Sequence, residues 1–245
     1  MPDYFSTQAA AYAAFRPTYP RELFAFVADC APRRDLVWDC ATGSGQAALA
    51  LADDFARVIA TDSSAKQLAH ASPHPRVEYR VAPAEDCGLP DRCADAVTVA
   101  QALHWFDLER FYAETRRVLA PDGALVVWSY NDAVLNDSTL DAELQRYNNT
   151  TVGPYWPAER QIVRDGYRTV PFPFDRIATP AFTLTCEWTL AELSGYLRSW
   201  SATARYVAEH RTDPVVDFEA SIVSGWGDPE SRRVIRWPLV VLAGR

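Results

Sequence analysis

A chain of 245 residues, 49% hydrophobic and 23% charged, is long enough to bury a sizeable core as one α/β domain with a decorated edge. Its formal charge of -8 and pI near 5.0 argue against a nucleic-acid backbone as main partner, which would call for a basic face, and favour small molecules. The five cysteines have no C-x-x-C spacing and no histidine cluster beside them, and no apolar run approaches the length of a membrane span, so the expectation is a cytoplasmic protein with reduced thiols, no metal and no membrane partner.

Residues 6–15 (STQAAAYAAF) read as a short helix with Ser6 as N-cap, followed by a stiff extended link over 16–20. A second helix then starts near Pro20 and turns Leu23, Phe24, Val27 and Cys30 inward at three- and four-residue spacing. The aromatic and arginine content of the leader suits a flap over a cofactor, with Tyr12 and Arg16 as candidate contacts; plain packing is the other reading.

The stretch LVWDCATGSGQ, residues 36–46, is the centre of the pattern. Leu36, Val37 and Trp38 form a short apolar strand that breaks at Asp39 into a turn with Gly43 and Gly45, and a helix over 47–52 follows. Strand, glycine turn and helix in that order expose backbone N–H groups at the carboxyl end of the strand, where a ligand comes close. Gly43, Gly45 and Ala48 also satisfy the dinucleotide fingerprint G-x-G-x-x-A. Asp39 separates the two readings, because a carboxylate at the strand tip opposes a pyrophosphate and suits a cationic ligand. Ala41, Thr42 and Ser44 complete the candidate turn.

Residues 57–61 (RVIAT) form a second strand ending at Asp62, close to twenty residues after the glycines, where a carboxylate accepts the ribose hydroxyls of an adenosine. Ser63 and Gln67 stand beside it as further candidates, and Ser64 caps a short helix. Residues 77–81 (VEYRV) alternate as a third strand and run into Ala84, Glu85 and Asp86. The fourth strand, 94–100 (ADAVTVA), breaks into QALHWFD, which sets Gln101, Ala102, His104 and Trp105 on the ligand-binding edge of an open parallel sheet. Asp107 caps an amphipathic helix, residues 120–123 make a turn, and 124–130 form strand five. Strands alternating with helices make a doubly wound sheet.

DCATGSGQ, Asp62, APAED, AQALHWFD and LAPDGALVV, in this order and spacing over residues 5–130, resemble the class I S-adenosylmethionine (SAM) methyltransferases. Within them the chain is similar to the branch of trans-aconitate and ubiquinone-biosynthesis-like enzymes, except that Ala41 stands where many relatives carry glycine. The resemblance implies SAM as cofactor, with an acidic residue after the third strand, Glu85 or Asp86, meeting the adenine amino group. It also implies an α/β fold with a doubly wound, mostly parallel sheet of seven strands and helical cap insertions. One domain is expected, with a cofactor-binding core over about 20–130, cap and acceptor elements over 131–232 and a final strand over 233–245.

Beyond residue 131 the pattern weakens. Residues 140–147, 159–165 and 190–200 read as helices, and 182–189 and 233–243 as strands that would form the final antiparallel pair. Tyr155, Trp156, Arg160, Arg164, Tyr167 and Arg168 gather aromatic rings and guanidinium groups into one segment, so an organic acid clamped by Arg164 and Arg168 and methylated on a carboxylate oxygen is the leading acceptor. Methyl transfer needs little acid–base chemistry, but a hydroxyl or amine acceptor would lose a proton, and His104 is the histidine placed to take it. Packing beside Trp105 is its alternative role. A SAM-binding sensor without catalysis and an NAD(P)-dependent oxidoreductase are the competing functions, and a monomer or homodimer is expected.

Overall fold

The computed structural model describes residues 17–245. The expected leader helix, with Tyr12 and Arg16, lies outside the described residues. In chain order the elements are α1 (Arg21–Cys30), β1 (Leu36–Cys40), α2 (Gln46–Leu51), β2 (Arg57–Asp62), α3 (Ala65–Leu68), β3 (Val77–Val81), β4 (Ala94–Ala100), α4 (Leu108–Val118), β5 (Leu119–Tyr130), β6 (Val134–Leu135), α5 (Ser138–Arg146), α6 (Arg160–Arg164), β7 (Thr183–Trp188), α7 (Leu190–Arg198), α8 (Ser201–His210), α9 (Pro214–Trp226) and β8 (Arg233–Gly244).

β1, β2, β3, β4 and β5 pair in parallel in the order β3-β2-β1-β4-β5. The last half of β8 lies antiparallel against β5, with Leu125 opposite Gly244 and Tyr130 opposite Leu239. Alternation along the central strands splits the core into two layers. Val37, Ala96, Val126 and Trp128 face α1 and α2, against Leu23, Phe24, Val27, Ala48 and Leu51. Trp38, Val97, Val99, Leu125 and Val127 face α4, against Phe111 and Val118. Each fully buried Val, Leu or Ile contributes about 1.5–3 kcal/mol to holding the strand tips in place. Helices on both faces of a mostly parallel sheet make this the doubly wound α/β fold that the sequence pattern implies.

Caps explain most helix starts. Ser64 accepts from Gln67 N, Asp107 from Arg110 N, and Thr189 forms a capping box with Glu192. The expected turn at 120–123 is instead an irregularity inside a longer β5: Ala94 pairs with Leu119, the register shifts, and pairing resumes at Ala96 opposite Ala124. Asp122, at φ 63, absorbs the extra residues.

The described residues form two compact units. A sheet unit comprises Thr18–Asn131, Ile162–Phe182 and Leu239–Arg245, and a helical unit comprises Asp132–Gln161 and Thr183–Pro238. In the helical unit β7 and the first half of β8 form the antiparallel pair expected near the end of the chain, and the two-residue β6 joins β8 on its other side, bringing the strands to eight. Its core is aromatic: Trp200 lies 5.2 Å from Trp156, 5.5 Å from Tyr196 and 6.0 Å from Tyr147, ring centre to ring centre. α8 and α9 have no counterpart among the expected elements. Among the described residues no helix is long and apolar enough to cross a membrane.

Candidate functional site

The turn after β1 is shaped by three left-handed residues, Ala41 at φ 55, Gly43 at φ 61 and Gly45 at φ 84. Glycine adopts this region without strain, whereas alanine pays for its Cβ. A Cβ on Gly45 would fall 2.8 Å from the Tyr79 ring, so that glycine is required by close packing. Among the described residues a Cβ on Gly43 would meet nothing within 4 Å, so they leave the turn open there.

Asp39 is fully buried beneath this turn. Its Oδ2 accepts the Thr42 hydroxyl at 2.5 Å and its Oδ1 the Thr98 hydroxyl at 2.8 Å. Burial pushes its pKa up to about 6; the two hydroxyl bonds pull it back, and the nearby charge of Asp62 pushes it further up. Asp39 is therefore both the anchor of the turn and a poised negative charge.

Asp62, at the tip of β2, ties the neighbouring turn to its own strand. Its Oδ2 accepts Gly43 N at 2.9 Å and its Oδ1 accepts Ser64 N at 2.8 Å, while Thr42 N donates to Thr61 O at 2.9 Å. A carboxylate offers about four lone-pair sites, so two remain for hydroxyl donors. Ser44 and Gln67 are half-buried at the same edge and Ser63 is exposed.

After β3, Ala84 is buried, Glu85 is half-buried and Asp86 is exposed. Glu85 Oε1 accepts Asp107 N at 3.1 Å, joining this loop to the start of α4. The loop is braced from below by Glu114, whose Oε1 accepts Cys87 N at 2.8 Å and whose Oε2 accepts Arg117 Nε at 2.7 Å. Arg117 also donates to Leu89 O and Asp91. The guanidinium holds the Glu114 carboxyl down to about 2.

At the tip of β4, Gln101 is left-handed at φ 59, with its amide N–H on Trp128 O. Its Oε1 accepts the Ser129 hydroxyl at 2.9 Å, and its Nε2 is a buried donor with no partner among the described residues. Ala102 is buried and starts the short 3₁₀ turn Leu103–Trp105. That turn sets His104 with its ring 4.8 Å from the ring of Trp105 and its Nδ1 3.0 Å from the hydroxyl of Tyr167. Tyr167 is 1% exposed, and burial raises its phenol pKa.

The aromatic and arginine segment divides between the two units. Tyr155 and Trp156 belong to the helical unit, where the Tyr155 hydroxyl meets His210 Nε2 and Trp156 Nε1 donates to Asn148. Arg160, in the same unit, pairs with Asp132 at 2.5 Å and lies 3.7 Å over the Trp156 ring. Arg164, Tyr167 and Arg168 belong to the sheet unit. Arg164 O accepts Asn131 Nδ2, and the exposed Arg168 donates its Nε to Asp165 O.

Four contributing residues were not among the candidates: Thr98, Tyr79, Glu114 and Ser129. Thr98 had a signal, a lone hydroxyl in the apolar strand ADAVTVA; the others depend on contacts across 27 or more residues. Among the described residues no cluster of three or more His, Cys, Asp or Glu has the arrangement of a metal site.

The residues present fit SAM by their chemistry. An open turn at Gly43, spare lone pairs on Asp62 and a buried carboxylate at Asp39 suit a ligand with an adenosine at one end and positive charge at the other. Comparison with known proteins agrees. Residues 38–127 match the family model described as a methyltransferase domain. A methyltransferase-named protein of Dictyostelium discoideum is 31% identical over 99% of this chain and 95% of its own. An uncharacterized methyltransferase of Mycobacterium tuberculosis is 30% identical over 74% of this chain and 78% of its own. A solved structure from Anaeromyxobacter dehalogenans, described as that of a type II methyltransferase, superimposes with a TM-score of 0.90 at 42% identity, covering 94% of this chain and 98% of the other. This chain belongs to the class I SAM-dependent methyltransferases, and SAM is its cofactor.

Proposed function

We propose that the enzyme methylates a small-molecule acceptor bound beside His104, at the carboxyl ends of β4 and β5, and that His104 takes the proton which a hydroxyl or amine acceptor loses. SAM, when bound, supplies a sulfonium methyl group already activated for transfer. The chain's task is then to hold the acceptor in line and keep water away. In this reading Asp62 takes the ribose hydroxyls on its spare lone pairs, Glu85 or Asp86 meets the adenine amino group, and Asp39 faces the cationic end from beneath the turn of Ala41, Thr42, Gly43, Ser44 and Gly45. Gln101 Nε2 is a donor for an oxygen of cofactor or acceptor.

The observation that carries the base role is the 3.0 Å contact of His104 Nδ1 with Tyr167, which orients the imidazole at a strand tip. An organic acid methylated on a carboxylate oxygen is the second reading. Arg168, whose exposed guanidinium lies on the same segment as Tyr167, supports it, as does the resemblance to trans-aconitate enzymes. Arg160 offers it less, since Asp132 already takes its charge. A carboxylate is deprotonated on arrival, so this reading makes His104 dispensable.

Methyl-labelled SAM with a panel of phenols, alcohols, amines and organic acids separates the readings. The base role predicts base-stable label on a phenol, alcohol or amine and loss of roughly a hundredfold in turnover in His104→Ala. Label released by mild base as methanol, with His104→Ala unimpaired, would replace it with the carboxylate reading. No transfer to any acceptor or cell extract would favour a sensor.

A further inference from the structure

The strand order β3-β2-β1-β4 sets four polar side chains out along one edge of the sheet. Glu85 follows β3, Asp62 ends β2, Asp39 lies in β1 beneath its turn, and Gln101 follows β4. Neighbouring strands lie about 4.8 Å apart, so the line runs roughly 15 Å from first strand to last. The first three members are acids, which accept hydrogen bonds or face positive charge. Gln101 closes the line with a donor.

Gln101 is held so as to present that donor. Its backbone is left-handed at φ 59 and tied to β5 by its amide N–H on Trp128 O at 2.9 Å. Ser129, 1% exposed, donates its hydroxyl to Gln101 Oε1 at 2.9 Å. The two ends of a planar amide point apart, so this bond turns Nε2 away from the Ser129 hydroxyl. Nε2 is buried with no partner among the described residues, although the residue as a whole is half-buried. An orphaned buried donor and a left-handed non-glycine backbone both cost stability, and here they fall on one residue at a strand tip.

An amide N–H has no lone pair and recognises only an acceptor. In the reading proposed above, the adenine and ribose fall to β3 and β2 and the positive charge to Asp39. The group of SAM that remains is the carboxylate of its amino-acid end. Asp39 repels a carboxylate, which therefore needs a donor farther along the sheet, and the next strand supplies one. We infer that Gln101 Nε2 binds the carboxylate of the cofactor, with Ser129 holding the amide in place. This rests on the reading that lays the cofactor over β3, β2 and β1.

SAM and decarboxylated SAM test it, because both carry the adenosine, the sulfonium and an amine and they differ in the carboxylate alone. Calorimetric titration should show the wild type binding SAM the more tightly. In Gln101→Leu the affinity for SAM is expected to fall about tenfold or more, as for a lost hydrogen bond to a charged group, while that for decarboxylated SAM stays within about twofold. Gln101→Glu keeps an oxygen for Ser129 and removes the donor, so it should show the same pattern, and either variant serves if the other fails to fold. A ratio of the two affinities equal to that of the wild type in a folded variant overturns the inference and leaves the donor to an oxygen of the acceptor. Asp62→Ala is the control and should weaken both ligands alike through the ribose. If it leaves both unchanged, the underlying reading of the cofactor site fails instead, so the two failures are distinguishable.

Discussion

The carboxylate of Asp62 accepts the amide hydrogen of Gly43 at 2.9 Å, so the tip of the second strand and the turn after the first form one rigid edge. The bond spans 19 residues and uses one oxygen, while the other holds Ser64 N. Turn geometry therefore depends on this side chain, and in the proposed reading cofactor affinity depends on it too.

Replacing Asp62 with Ala is expected to weaken SAM binding through lost ribose hydrogen bonds, each on the order of 1.5–3 kcal/mol for a charged acceptor. The melting temperature without ligand should fall as well, because Gly43 N and Ser64 N lose their acceptor. Calorimetric titration with unchanged affinity would remove Asp62 from the site.

In the proposed reading Asp39 is expected to make binding pH-dependent. Below its ordinary value near 3.8 the folded and unfolded chains are both protonated. As pH rises from there to about 6 the unfolded chain has lost a proton that the folded chain still holds, so unliganded stability falls across this window, by about 3 kcal/mol in all. The charged form favours a cationic ligand, so SAM affinity should drop about tenfold between pH 7 and pH 5. A flat profile in wild type, matching that of Asp39→Asn, would show that the charge is not used.

Ala41 holds a strained, left-handed backbone at φ 55. A left-handed alanine costs about 1–2 kcal/mol, against about 0.5–1 kcal/mol of extra chain entropy for glycine. Ala41→Gly should thus stabilise the protein by about 0.5–1 kcal/mol, raising the melting temperature by about 2 °C. A lower melting temperature would contradict this balance.

How much of this was legible in the sequence varied with the range of the contacts. β1, β2 and β4 could be read because two-sided burial requires continuous apolar runs, and the acids and glycines that follow β1 and end β2 sit at the tips that bear the candidate site. The caps at Ser64 and Asp107 were equally readable, being local. α9 carried a cap at Asp213, a proline at its first position and Val215, Phe218, Ile222 and Trp226 at helical spacing, yet these signals are spread over an unbroken run of helices whose core is internal to the helical unit. The pairing of Asp39 with Thr98 and of His104 with Tyr167 bridges 59 and 63 residues, which periodicity does not reach. The grouping of arginines by sequence proximity likewise concealed that Arg160 and Arg168 fall in different units with different partners.

Glu114→Gln tests the brace under the loop of Glu85. Its carboxyl is held down to about 2, so its contribution is complete above the ordinary value near 4.5 and is lost as pH falls through about 2. Arg117 is partly exposed, so the loss at neutral pH should be modest, about 1–2 kcal/mol, with SAM affinity reduced several-fold as the loop loosens. Denaturant unfolding at pH 7 and pH 2.5 checks it: the gap between wild type and variant should narrow at the lower pH, and a constant gap would place the effect elsewhere.

Thermal unfolding with S-adenosylhomocysteine and with NADH bears most directly on the assignment of the turn at Gly43 and Gly45 to SAM rather than a dinucleotide. A ligand that binds only the folded chain at a hundredfold excess over its Kd stabilises by about 2.7 kcal/mol. S-adenosylhomocysteine should therefore raise the melting temperature of the wild type clearly and that of Asp62→Ala much less, with NADH producing no shift in either. A shift with NADH and none with S-adenosylhomocysteine would contradict the account.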